Sequence, residues 1–247
     1  MEEEMEKFVS VKKSDRQDSS VNKKESKAWS KRELISRYVL LVIGLFFSGI
    51  GVAVTKRGEL GVSPISSVAN VIALRFPVLS FGTWLFIWNC ILIVGQIVVL
   101  RKEFQWIQLL QIPLSVLFGW FTDFGVWLAA FFPNKAYVFR MILVLLGTCI
   151  LGFGISLAVI ANVVMNSGEA FVKAVADKTH HVFGNVKIGF DVSCVVLSVL
   201  LSLIFFPFRI TGTREGTVIA ALCTGLVVKF FQKRLQEPLT ALLLPDV

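Results

Sequence analysis

Six long stretches of this sequence carry almost no charge, and each is close to the length a helix needs to cross a bilayer. A helical crossing takes about 20 apolar residues. Tyr38–Thr55 is uncharged and closed by Lys56-Arg57; Phe76–Leu100 is closed by Arg101-Lys102-Glu103; Phe104–Thr122 is interrupted by Asp123. Met141–Asn166 follows, then Ile188–Phe208 with the single charge Asp191, and Gly216–Phe231 with Lys229 near its end. In lipid every backbone polar group needs a partner, and a helix finds those partners within its own segment. The sequence therefore predicts an all-α polytopic membrane helix bundle with six spans.

The distribution of charge agrees. Soluble domains are about one-quarter charged, whereas this chain of 247 residues is 17% charged and 55% hydrophobic. Residues 1–37 alone hold ten Lys/Arg and eight Asp/Glu, so the remainder has too few charges to solvate a water-facing surface. A soluble enzyme, a disordered chain and a collagen-like fibre are excluded. The net charge of +8 comes from cations that border apolar runs, as at membrane edges. A nucleic-acid binder needs a basic stripe on a folded surface, and none is expected.

The runs divide the chain into a charged cytoplasmic arm (1–37), a first membrane repeat (38–124), a connector (125–140), a second membrane repeat (141–231) and a cytoplasmic tail (232–247). The arm is too polar to offset its chain entropy and reads as disordered. No signal peptide precedes the first run, which is expected to be retained as a span. Two segments are too polar or too short to cross. Gly58–Arg75 leaves only Ile65–Leu74 as an apolar helix, and Asn166–His181 contains Glu169, Lys173, Asp177 and Lys178. Both read as re-entrant or interfacial helices. Gly125–Pro133 reads as a third short piece after span 3.

The order of elements in 38–124 recurs in 141–231. A shift of 103 positions superposes Gly44, Gly49 and Gly51 on Gly147, Gly152 and Gly154, and Phe81-Gly82 falls near Phe183-Gly184. Three spans per half is an odd number, so the second half enters from the opposite side: an inverted 3+3 repeat of the kind found in many secondary transporters. With the N-terminus inside, 18 Lys/Arg are cytoplasmic and 7 are outside, and the arm carries the whole of that bias.

Candidate chemistry is sparse. Ser63 stands at an N-cap before Pro64, with Ser66 and Ser67 in the first turn; Asn166 and Ser167 are the counterparts in the second half. Free N–H groups and the helix dipole favour an anion at such N-termini, although ordinary capping accounts for the same residues. Asp191 lies inside a span, where a charge faces a partner or an aqueous path; its partner would be Lys187, and its counterpart in the first half is Asn89. The expected solute-binding set is thus Ser63, Ser66, Ser67, Asn89, Asn166, Ser167 and Asp191. Cys90, Cys149, Cys194 and Cys223 lie singly in apolar runs, and His180-His181 has no third ligand nearby. No metal, no cofactor and no catalytic set is expected.

The Gly-rich opening span, the turn GVSPISS (61–67) and FGTWLFIWN (81–89), together with the duplicated plan, make residues 38–232 resemble the bacterial YitT, YyaS and YczE group of membrane proteins. The second half departs from the pattern, with Asn-Ser-Gly-Glu where a Ser-Pro turn would stand. The resemblance implies a bacterial plasma membrane and names no substrate. Two functions remain open: a secondary transporter of a small anionic or zwitterionic solute, or a scaffold or sensor that works through a protein docked on the arm or through a second copy. A hydrated centre reached by Ser63, Asn89 and Asp191 would favour the first. A dry Leu/Phe-packed centre would favour the second.

Overall fold

The computed structural model describes residues 30–133, 136–207 and 210–243. Most of the charged arm lies outside the described residues. The chain divides into two units, Met1–Ile35 and Ser36–Val247, and the helical bundle is built by the second.

Among the described residues eight α-helices follow in order: α1 (Lys31–Arg57), α2 (Pro64–Arg75), α3 (Phe81–Leu100), α4 (Gln111–Ala129), α5 (Tyr137–Ala161), α6 (Ser167–Thr179), α7 (Phe183–Phe205) and α8 (Glu215–Leu243). There is no strand among the described residues. Six of the helices are long and apolar enough to cross a membrane, and α2 and α6 are the two short ones. The fold is an all-helical, multi-pass membrane protein.

Several helix ends differ from the reading of charge-free runs. Helix α1 begins at Lys31 rather than Tyr38, since charge sets where a helix leaves lipid and not where it stops. Helix α3 begins at Phe81, not Phe76, because the Ser80 hydroxyl accepts the Thr83 N–H as an N-cap. Residues 106–110 form a 3-10 turn, and α4 starts only at Gln111. That helix then runs through Asp123 to Ala129, so Gly125–Pro133 is no separate helix. Asp123 does not break it because its carboxylate is engaged, accepting from Gly82 N at 2.7 Å and from the Ser80 hydroxyl. Helix α7 starts at Phe183 rather than Ile188, and α8 continues to Leu243 with Pro238 inside it.

Helices α1 and α5 cross antiparallel at the centre. A Cβ on Gly44 would meet Gly154 O, one on Gly51 would meet Leu151 and Gly147, and one on Gly58 would meet Arg140 and Val144. Rising positions on α1 therefore meet falling positions on α5. Small residues let the two backbones approach this closely, which is how helices associate where lipid is as apolar as the side chains. Helix α4 packs on α1 through Gly49 against Phe121-Thr122, and α8 packs on α5 through Gly152 against Val227-Val228. Leu45, Val52, Ala69, Phe81, Leu85, Phe118 and Leu151, drawn from five helices, form one buried cluster.

Both short helices dip into the bundle and return. Lys56 at the end of α1 lies over the Phe81 ring at the start of α3, 3.9 Å from its centroid, so α2 comes back to the end it entered from. Lys178 at the end of α6 pairs with Glu103 beyond the end of α3, at 3.1 Å, so α6 returns to the opposite end. Their N-termini meet in the middle, where Ile65 packs on Gly168. Gly82 and Gly119 hold α3 close against α4, whereas Gly184 and Gly225 have nothing within 4 Å.

Candidate functional site

The N-terminus of α2 closes on itself. Ser63 is the N-cap residue and Pro64 the first helical residue. The Ser63 hydroxyl donates to Ser66 Oγ at 2.9 Å, and Ser67 Oγ donates to Pro64 O at 2.6 Å. Ser66 and Ser67 are buried. The N-terminus of α6 is held by other helices instead. Asn166 Oδ1 accepts from Ser167 N, Ser115 and Ser167 share a hydroxyl contact at 3.2 Å, and Gln96 donates to Ser167 O. Gln96 and Gln111 also exchange a reciprocal amide pair. Buried amides of this kind need every partner satisfied, and here they fix the tip of α6.

Asn89 is buried on α3, and Asp191 on α7 accepts from Lys187 Nζ at 2.8 Å. The two N-termini are brought together through Ile65 and Gly168, while Asp191 is engaged with Lys187 on its own helix. Asn166 and Ser167 line a small pocket of 20 Å³ beside Ser115. The buried apolar cluster includes Ala69 of α2 and no residue of α6. A single i,i+4 ion pair on a helix contributes about 0.2–0.5 kcal/mol. We expect Asp191→Asn and Lys187→Gln each to lower the thermal midpoint by no more than about 2 °C. A larger loss from Asp191→Asn alone, measured by fluorescence-monitored melting, would assign it a role beyond this pair.

A large cavity lies where α1 ends and α5 begins. It has a volume of 540 Å³, and Lys56, Arg57, Arg140 and Arg214 line it against one acid, Glu59. Each cation is positioned by its own element. Lys56 Nζ donates to Asn70 Oδ1 at 2.8 Å, and Asn70 in turn donates to Gly212 O. The Arg57 guanidinium donates to the carbonyls of Ala130 and Phe132, which fastens the end of α4. Arg140 pairs with Glu59 at 3.2 Å, and Arg214 with Glu215 at 3.2 Å. The recess, walled by apolar helices, thus gathers four cations at one end of the bundle, with Arg140 and Arg214 each paired to an acid.

Sequence reasoning missed these four, treating Lys56-Arg57 as the terminator of a span. A signal was available. With the N-terminus inside, all four belong to the seven outside cations that run against the positive-inside tendency.

The sequence profile of a family of unknown function, DUF6198, matches residues 35–233. The chain belongs to that family. It is 26% identical over 202 residues to the uncharacterized membrane protein YczE of Bacillus subtilis (strain 168), covering 81% of this chain and 87% of YczE. No solved structure matches the fold.

Proposed function

We propose that this protein is a secondary carrier of a small anionic solute in a bacterial plasma membrane, built as an inverted repeat with both termini in the cytoplasm. The observation that carries the reading is the 540 Å³ cavity with its four cations. The repeat is supported by contacts that are reciprocal under the 103-residue shift. Gly44 meets Gly154 as Gly51 meets Gly147; Ser48 meets Gly154 as Leu151 meets Gly51; and Ile65 meets its own counterpart, Gly168. Two short helices entering from opposite ends and touching at their N-termini belong to the same plan. Carriage then requires those tips to part, so that the anion passes from the cationic recess toward the opposite end.

The buried apolar cluster at the heart of the bundle favours a second reading, a sensor or scaffold that binds an anion without moving it, through a partner on the N-terminal arm or a second copy. Two measurements separate them. A panel of anionic metabolites is screened by thermal shift on the purified protein, where binding raises stability by mass action. The compound that binds is then offered to proteoliposomes. Uptake supports the carrier; binding without uptake supports the sensor; no shift with any anion overturns both anion readings. Orientation is tested separately. Cysteine probes replacing Val78 and Gln236, in a background without native thiols, are expected to label from outside and inside respectively, and labelling of both from one side defeats the topology.

A further inference from the structure

A shift of 103 positions, in either direction, carries seven residues lining the 540 Å³ cavity onto a 420 Å³ cavity at the opposite end. Asn70, Leu74 and Thr211 become Lys173, Asp177 and Gln108. Five more fall on a separate 270 Å³ cavity at that same end, Glu59 and Arg140 becoming Asn162 and Arg37. The correspondence extends to the backbone: Glu59 and Asn162 both stand in the left-handed region, at φ 55° and 49°. One recess at the first end is thus two smaller ones at the second. What shuts the second end is polar. Gln96 of α3, Gln111 and Ser115 of α4 and Ser167 of α6 are each at most 3% exposed, and Gln111 lines the 420 Å³ cavity. The two amides exchange hydrogen bonds at 3.0 and 3.1 Å, Gln96 also donates to Ser167 O, and the two hydroxyls meet at 3.2 Å. At the first end the same shift gives Val199, Arg214, Val218 and Pro64, which can make no such set. Helix α3 also packs along α4, where α7 and α8 scarcely touch. An amide pair that opens into water exchanges one set of hydrogen bonds for another. It can be shut dry and parted at small cost, whereas apolar packing resists wetting.

We propose that the opposite end holds a second mouth of the pathway, shut in this structure, and that Gln96, Gln111, Ser115 and Ser167 form its gate. Parting α6 from α3 and α4 joins the 420 and 270 Å³ cavities into the counterpart of the 540 Å³ one, which closes in turn. The gate rests on the carrier reading, but its test needs no solute. Single cysteines replace Ala174, buried against the 420 Å³ cavity, and Val126, which lines the 540 Å³ one. Maleimide labelling rates are measured on purified full-length protein without native thiols. Gln111→Ala leaves the Gln96 amide unanswered in the shut form and free to meet water in the open one. It is expected to quicken labelling of Ala174→Cys by about threefold or more and to slow that of Val126→Cys by a similar factor. A clasp that only fixes α6 loosens the first position and leaves the second unchanged, and that result overturns the gate. So does no change at either position. Should Gln111→Ala fail to fold, Gln96→Met with Gln111→Met replaces both amides by apolar side chains of similar length, which pack when shut and resist wetting. Labelling of Ala174→Cys is then expected to fall about threefold or more below wild type; an equal or higher rate overturns the gate. Reciprocal labelling without solute uptake leaves the gate standing and removes the carrier, and uptake with unaltered labelling does the reverse.

Discussion

Gly51→Ala is expected to lower the thermal midpoint of the detergent-solubilised protein by roughly 4–10 °C, and Gly51→Leu to leave no monodisperse protein. An ideal Cβ at Gly51 would lie 2.4 Å from Leu151 N, 2.7 Å from Leu151 Cα and 2.8 Å from Gly147 O. All three are backbone atoms, so no side chain can swing aside; the two helices have to separate. Overpacking of this kind costs about 1–3 kcal/mol or more. Alanine recovers up to about 1 kcal/mol of helix propensity over glycine, too little to offset separating α1 from α5. Gly154→Ala should behave alike, since its Cβ would lie 2.4 Å from Ser48 N. Gly189→Ala is the control. It sits inside α7 with nothing within 4 Å, and there propensity alone acts, giving an unchanged or slightly raised midpoint. Equal midpoints for Gly51→Ala and wild type would show that the crossing is not close-packed.

Lys56→Met is expected to weaken binding of whichever anion stabilises the wild type by at least tenfold, about 1.4 kcal/mol, while leaving the unliganded midpoint within a few degrees. Methionine keeps an apolar stem of similar length and removes the charge. The structural losses are the contact with Asn70 and the ammonium's place over the Phe81 ring, partly offset because burying an ammonium is itself costly. Arg57→Met should show the reverse emphasis. It releases the carbonyls of Ala130 and Phe132, so the midpoint falls along with affinity. Measuring binding and melting on both variants separates a cation that meets the solute from one that mainly fastens α4. If Lys56→Met binds as wild type does, the anion reading of the cavity fails.

Asp123 shows why charge was an incomplete ruler. In the sequence it interrupts an apolar run and invites a helix end; in the fold its carboxylate takes Gly82 N and the Ser80 hydroxyl, so α4 passes through it to Ala129. An acid whose partners lie 41 and 43 residues away cannot be recognised as satisfied from local sequence. The same holds for the site. Ser63, Ser66, Ser67, Asn166 and Ser167 were legible as helix N-termini because capping is local chemistry. That Ser67 answers Pro64 O while Ser167 answers Ser115 depends on which helices lie alongside.

The all-helical class, six spans and two short helices followed from sequence alone, because hydropathy over about 20 residues and the need to satisfy backbone in lipid are properties of single segments. The spacing of Gly44 and Gly51 and of Gly147 and Gly154 was visible as well, but not that these positions face one another across an antiparallel crossing. The tertiary structure alone decided where the cations gather. Lys56-Arg57, Arg140 and Arg214 lie on separate segments that local patterning treats independently. Only the antiparallel contact of α1 with α5, set by how closely glycine backbones approach, and the return of α2 to the end it entered from bring them to one recess.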